Sequence, residues 1–461
     1  MSRQERMEKD NVWRVIASLA IPTALITLVM VIYNMADVFF IGKTGDSRMV
    51  NAIAVCMPVF TIVQAFGTLI GSGGCTAISV ALGKGDREKS RQISSFCFYL
   101  CLGLGLILTL GLNIFAPQMI KMLGASASYS DFAILYLRIL AFGCPVMMFS
   151  NAFVNIARAD GSIKEPMIAN LIGTLVNIVL DPIFILVFNL GVAGAAVATV
   201  IGNVISILIL IKGLQKKSDF ISFRAKDLSL KKDVVLKPLA LGLPIASGTL
   251  LMSVSYMIMN NLLIGVGDNA QGAFGIVRSV MLLSTTTQLG ICMGVQPAVS
   301  YCYGRKNIRR VKEFIVKTGT VCMVFGLLVA LLCIGGRDLI LNAFIADESI
   351  VLFGREMIVG CLITAPVYAI YQTAVTFLQA TEWAMWSTIN TLLRQGIVLI
   401  PAMLILNAAF GFGGLVFSFA VTDIVAALVG TVLLVRRMKK ADPGRSDSFR
   451  DLAGAREERI A

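Results

Sequence analysis

The sequence predicts an all-α polytopic membrane protein: twelve transmembrane helices in two six-helix lobes related by a parallel repeat. Three observations predict it. Of 461 residues, 57% are hydrophobic and only 15% charged, against about a quarter charged in soluble domains. The charge sits in short islands separated by apolar runs of 20 to 33 residues, and about 20 such residues cross a bilayer as a helix. The chain also repeats itself with an offset near 221 residues.

Taking the islands as loops gives spans at 13–41, 50–82, 93–116, 131–157, 167–190, 193–212, 239–264, 272–303, 314–335, 350–379, 385–408 and 413–436. Of the 40 Lys and Arg, 32 fall in the N-terminal segment, in the loops after even-numbered spans, in the C-terminal tail, or in the span ends that border these. Positive residues stay on the cytoplasmic side, so both termini are expected there, which an even number of spans satisfies. The net charge of +13 is thus a topology signal, with anionic headgroups as secondary partners; nucleic acid is not expected. The polar start "MSRQERMEKD" shows no short apolar core before a small-residue cleavage site, so no removable signal peptide is expected.

The repeat fixes the domain organisation. "LAIPTALITLVMVIYN" opens span 1 and "LGLPIASGTLLMSVSYMIMNN" opens span 7, so Pro22 maps to Pro244. Gly83 maps to Gly304, Pro145 to Pro366, Ala159 to Ala380 and Gly194 to Gly414, in order, with the offset between 220 and 222. Six helices per half make both halves insert the same way round, related by an axis along the membrane normal; transporters use such repeats for alternating access. The expected units are a cytoplasmic N-terminus (1–12), an N-lobe (13–212), a linker (213–238), a C-lobe (239–436) and a tail (437–461). The linker is basic and amphipathic and is expected on the membrane surface. The polar tail is expected to be disordered.

Composition also excludes chemistry. There is no His, which removes the usual near-neutral proton carrier, so proton transfer falls on carboxylates. The ten Cys lie inside apolar runs without a C-x-x-C pair and read as small apolar filler. H-E-x-x-H, P-loop and G-x-S-x-G patterns are lacking, and no enzyme and no cofactor are expected.

Three carboxylates fall well inside spans: Asp37, Asp181 and Asp423. An ionised Asp at a helix centre costs about 2.5–3.5 kcal/mol or more, so such residues face protein or a watery cavity and are functional candidates. Asn177 lies four residues before Asp181, on the same helical face. Thr199 sits on the next span across the short turn "NLGVAG". Carboxylate, amide and hydroxyl oxygens suit a hard cation such as Na⁺. Two nearby carboxylates in a low dielectric cannot both stay ionised without a cation, so a proton can substitute for the metal. The alternative for these residues is an interhelical hydrogen bond stabilising packing by about 0.6 kcal/mol.

Several stretches together resemble the multidrug and toxic compound extrusion (MATE) family, over residues 10 to 437. They are "IPTALITLVMVIYNMADVFFIGKTG", "SVALGKGD", "LVNIVLDPIFILVFNLGVAGAAVAT" and "GVQPAVSYCYGRKNIRRVKE". The resemblance implies two lobes around a cavity that opens alternately to each side, exporting amphipathic, often cationic compounds against Na⁺ or H⁺. It implies an N-lobe cation site made of Asp37, Asn177, Asp181 and Thr199, the two acids holding Na⁺ if sodium drives export. Asn34, Tyr136, Asn151 and Arg278 are expected as substrate-pocket or supporting residues. A bacterial plasma membrane and a functional monomer are expected. Family members that carry acids on helices 7 and 10 have a C-lobe cation site; here span 7 offers Asn260 and Asn261 and span 10 offers Gln372, so coupling is expected in the N-lobe.

Pro22 lies fifteen residues before Asp37, about 22 Å of helix. A helix-interior Pro favours a bend, so Pro22 is the expected hinge. Gly67 and Gly71, and Gly290 and Gly294, form GxxxG pairs suited to close packing. Arg278 is left with three options: repelling cations, binding anions or pairing with Asp423. The alternative function is a lipid or lipid-linked saccharide flippase, which wants a more cationic cavity than Arg138, Arg278 and Arg394 provide.

Overall fold

A computed structural model of the chain describes residues 3–25, 47–123, 125–126, 128–161, 163–217, 220–344 and 348–441. The described residues form helices and their connections, with no strand. Eight helices are long and apolar enough to cross a membrane, and two bent pairs bring the number to ten. The apolar helix Val12–Leu25 begins span 1; its continuation, with Asn34 and Asp37, lies outside the described residues. The stretch Ala384–Ala441 holds 58 residues, about 87 Å if straight, far beyond the roughly 30 Å of a bilayer core. It reverses at Gly411, whose φ of 60° and ψ of −141° leave the helical region, a conformation open to glycine. Spans 11 and 12 are thus one antiparallel hairpin, so the described residues hold eleven spans and the start of span 1.

The repeat is visible in the element boundaries. Span 2 is Ser47–Gly83 and span 8 is Asp268–Gly304. Span 3 is Arg87–Ile114 and span 9 is Ile308–Gly335. Both of these helices start at an equivalent cap: Asp86 Oδ1 accepts from Lys89 N at 2.9 Å and Asn307 Oδ1 from Arg310 N at 3.2 Å, satisfying a first-turn donor. Span 4 bends by 55° between Ser130–Phe142 and Cys144–Ala159. Span 10 bends by 43° between Glu348–Leu362 and Ala365–Ala380. The matched prolines Pro145 and Pro366 sit at the second position of each following segment, where a missing N–H is tolerated.

Span 5 is Lys164–Pro182 followed by a π turn, Ile183–Val187. Span 6 is Gly191–Lys217 and span 7 is Lys232–Ile264. Both reach into the stretch expected as linker. The described remainder, 220–231, holds one short 3₁₀ turn, Ala225–Asp227. It runs as an extended strap on the N-lobe: Ser95 Oγ donates to Arg224 O at 2.9 Å, Ser222 N to Ser94 Oγ at 2.9 Å, and the Phe223 ring sits 5.3 Å from those of Phe98 and Phe153. Backbone groups that a helix would pair internally are instead satisfied by span 3 hydroxyls.

The lobes meet at the end of the bundle that carries the basic loops, here termed the basic end. A Cβ on Gly304 would lie 3.0 Å from Gly83 Cα and also strike Val80 O. A Cβ on Gly73 would strike Pro238 O, and one on its repeat mate Gly294 would come within 2.6 Å of Leu19 O. Spans 2 and 7, and 8 and 1, therefore touch backbone to backbone. Gln296 Nε2 donates to Thr76 Oγ1 across the seam at 2.8 Å, and Gln379 Nε2 donates to Ser72 Oγ at 3.4 Å. One apolar core runs through both lobes at this end, while Tyr256–Phe419 of the C-lobe forms a separate cluster. Gly67 and Gly71 face Asn151 and Ala152 of span 4, the packing role expected of the first GxxxG pair.

Candidate functional site

Span 5 buries Glu165, Ala169, Gly173, Asn177 and Asp181, one residue every fourth position and hence one helical face. That face meets span 6 at glycines. A Cβ on Gly173 would lie 2.7 Å from Gly202 O, and one on Gly202 the same distance from Gly173 O. The backbones can approach this closely only because neither carries a side chain. The approach brings the polar groups one turn further on into reach. Asn177 Nδ2 lies 3.4 Å from both Asp181 Oδ1 and Thr199 Oγ1, and Asn177, Asp181 and Thr199 are 2%, 0% and 7% exposed. Asn177 Oδ1 makes no hydrogen bond among the described residues, leaving a carbonyl acceptor beside a carboxylate. Just after Asp181, Pro182 supplies no N–H, and the helix widens into the π turn closed by Phe188 N to Ile183 O at 2.9 Å. Such bulges recur at functional positions. A cavity of about 70 Å³ adjoins the cluster, lined by Asn170, Thr174, Asn177, Thr199, Asn203 and Ser206, polar and large enough for water.

The structure brings together three of the four expected ion-site residues; the fourth, Asp37, falls outside the described residues, as does Asn34. Tyr136 lies in span 4 with its ring edge-on to Phe60 at 5.9 Å. Asn151 packs at Gly67, and its carbonyl accepts from Asn155 Nδ2 at 2.8 Å. Pro22 sits within Val12–Leu25, where helix continues through it. Arg278 is not the partner of Asp423. It is exposed and its guanidinium stacks on the Tyr256 ring at 4.6 Å.

Asp423 instead pairs with Arg394 at 2.7 Å and accepts from Thr364 Oγ1 at 3.0 Å. Arg394 lies in a second π turn, Leu393–Ile397, which turns it inward. Its guanidinium covers the rings of Tyr368 and Tyr371 at 4.5 and 5.1 Å. This cluster was missed in the sequence; the available signal was a pair of opposite charges on consecutive spans. Removing one partner of a buried pair leaves an uncompensated charge, a loss of about 3–5 kcal/mol. Arg394→Leu is therefore expected to lower the melting temperature of the purified protein sharply, and Arg394→Leu with Asp423→Leu to restore most of it.

The profile of the MatE family matches residues 22–183 and 244–405, the two halves of the repeat. The chain belongs to the MATE family. MATE relatives include the multidrug export protein MepA of Staphylococcus saprophyticus, 31% identical over 428 residues, with 93% of this chain and 94% of that protein aligned. MepA of Staphylococcus aureus is 31% identical over 430 residues, with the same coverage. The fold superposes on a MATE protein solved in a bent conformation with a TM-score of 0.90 at 22% identity, covering 97% of this chain and 99% of that one. The same comparison with a MATE in a straight conformation gives 0.89 at 23%, covering 95% and 98%.

Proposed function

We propose that the chain exports amphipathic, cationic compounds in exchange for Na⁺ or H⁺ by alternating access. The observation that carries this reading is the buried Asn177–Asp181–Thr199 cluster in the N-lobe of a two-lobed MATE chain. The staphylococcal relatives are named multidrug export proteins, which supports export of drugs; none of these names favours a flippase. With basic loops cytoplasmic, both termini face the cytoplasm, and the glycine seam closes the inner side. The described arrangement is then the outward-facing state.

Asn177, Asp181 and Thr199, with Asp37 of span 1, would hold one Na⁺ or take up one proton. Ion binding biases the lobes only if the two states bind it with different affinity. Spans 5 and 6 fix three of the groups, so movement of span 1 is what can make or break the set. Pro22 is the hinge in this reading: if Pro22→Ala exports as well as wild type at equal expression, span 1 does not bend there. One chain supplies both lobes and the whole ion site, so the functional unit is a monomer in a bacterial plasma membrane.

The test is accumulation of ethidium in efflux-deficient bacterial cells. Cells expressing the protein are expected to hold less dye than empty-vector cells, and equal dye content overturns the reading. A pH gradient and a Na⁺ gradient, each imposed alone on vesicles, assign the ion.

A further inference from the structure

The C-lobe holds a cavity of about 130 Å³ between spans 7, 8, 10 and 11. Its wall residues on spans 7 and 8 fall midway along those helices, the depth at which repeat transporters place ligands, and those on spans 10 and 11 come from the halves nearer the basic end. The volume is close to the roughly 150 Å³ of an engineered protein cavity that takes up benzene. Thr249, Thr285, Thr391 and Gln395 offer hydroxyl and amide groups, Tyr368 and Tyr371 offer rings, and no lining residue is charged.

The rings are held from behind. Arg394 covers both at 4.5 and 5.1 Å and is itself neutralised by Asp423. Tyr368 OH donates to Gln372 Oε1 at 3.1 Å, and Gln372 Nε2 donates to Thr376 Oγ1 at 3.1 Å. The wall is thus fixed before any ligand arrives, which lowers the cost of binding. A guanidinium on one face of a ring draws on the same π charge that would attract a second cation to the other. The cavity side therefore suits an uncharged ring, stacked or edge-on.

We propose that this cavity binds the neutral aromatic end of the exported compound, one hydrogen-bonding ring, while the ionic step stays with the N-lobe acids. This rests on the export reading and names a second contact for its substrate. The hydroxyls of Thr249 and Thr285 bond their own helix, to Ile245 O and Met281 O at 2.9 Å each. Replacing either with Phe fills the cavity and orphans no donor.

The experiment is fluorine NMR of 4-fluorobenzamide, an uncharged single ring, with the full chain in lipid nanodiscs and empty nanodiscs as reference. Ethidium efflux is measured on the same wild-type protein. Saturable binding is expected in wild type and in Asp181→Asn. Thr249→Phe and Thr285→Phe are each expected to weaken it at least about tenfold, a loss of about 1.4 kcal/mol. If Thr249→Phe does not fold, Thr285→Phe decides alone. Wild-type binding no greater than that of empty nanodiscs, or unchanged by the filling variants, overturns the proposal even where ethidium is exported. Absent ethidium export overturns the export reading instead.

Discussion

Asp181→Asn should abolish gradient-driven efflux while leaving the protein folded. The change is isosteric, and the side chain stays in a pocket already built for an amide neighbour: Asn177 Nδ2 sits 3.4 Å from Asp181 Oδ1. What is lost is the charge that, in the proposed exchange, a cation or proton neutralises. With that charge gone no ion gradient can drive the exchange, and the initial rate of dye efflux should fall to that of empty-vector cells. Efflux at the wild-type rate would show that the ion acts elsewhere. Asn177→Ala is expected to have a smaller effect in the same direction, because it removes one neutral member of the proposed ion site.

The second large effect is expected at the seam. Gly304→Val places a branched side chain where a single Cβ already reaches Val80 O and lies 3.0 Å from Gly83 Cα. These are backbone atoms of a helix, so they cannot swing aside as a flexible side chain would. Overpacking costs about 1–3 kcal/mol, and here the cost falls only on the state in which the basic ends touch. The population should shift about 5–150-fold away from it. Spin labels at Lys84 and Arg305, both exposed at this end, report the shift as a longer distance in Gly304→Val than in wild type. An unchanged distance together with unchanged efflux would mean that the seam does not limit the cycle.

Much of the fold was legible because the bilayer restricts what a chain can do. With every backbone group satisfied inside a helix, apolar length and basic islands suffice to count spans, and matched prolines and glycines mark the repeat. Span 5 was legible for the same reason: Asn177 and Asp181 share a face by spacing alone, and the six-residue turn forces span 6 beside it. The C-lobe cluster was not. Arg394 and Asp423 are 29 residues apart on a hairpin whose reversal depends on Gly411, and a π turn rotates Arg394 by an amount that a period of 3.6 residues does not foresee. Arg278 offered an equal charge on an interior span, and nothing in the sequence ranked the two. The contacts of the linker were not legible in its composition. Its basic, amphipathic pattern suits the membrane surface, and it does not foretell that Phe223 finds Phe98 and Phe153 or that the hydroxyls of span 3 take its backbone.

Exchange by alternating access, as proposed, requires that dye binding and ion binding at the N-lobe cluster oppose one another. The direct measurement is release from purified protein: ethidium is added to weakly buffered solution at slightly acidic pH, and protons set free are recorded, with displaced radioactive sodium followed in parallel. Wild type should release one of the two ions on dye binding, and Asp181→Asn should release neither. Equal release from wild type and Asp181→Asn would contradict the account.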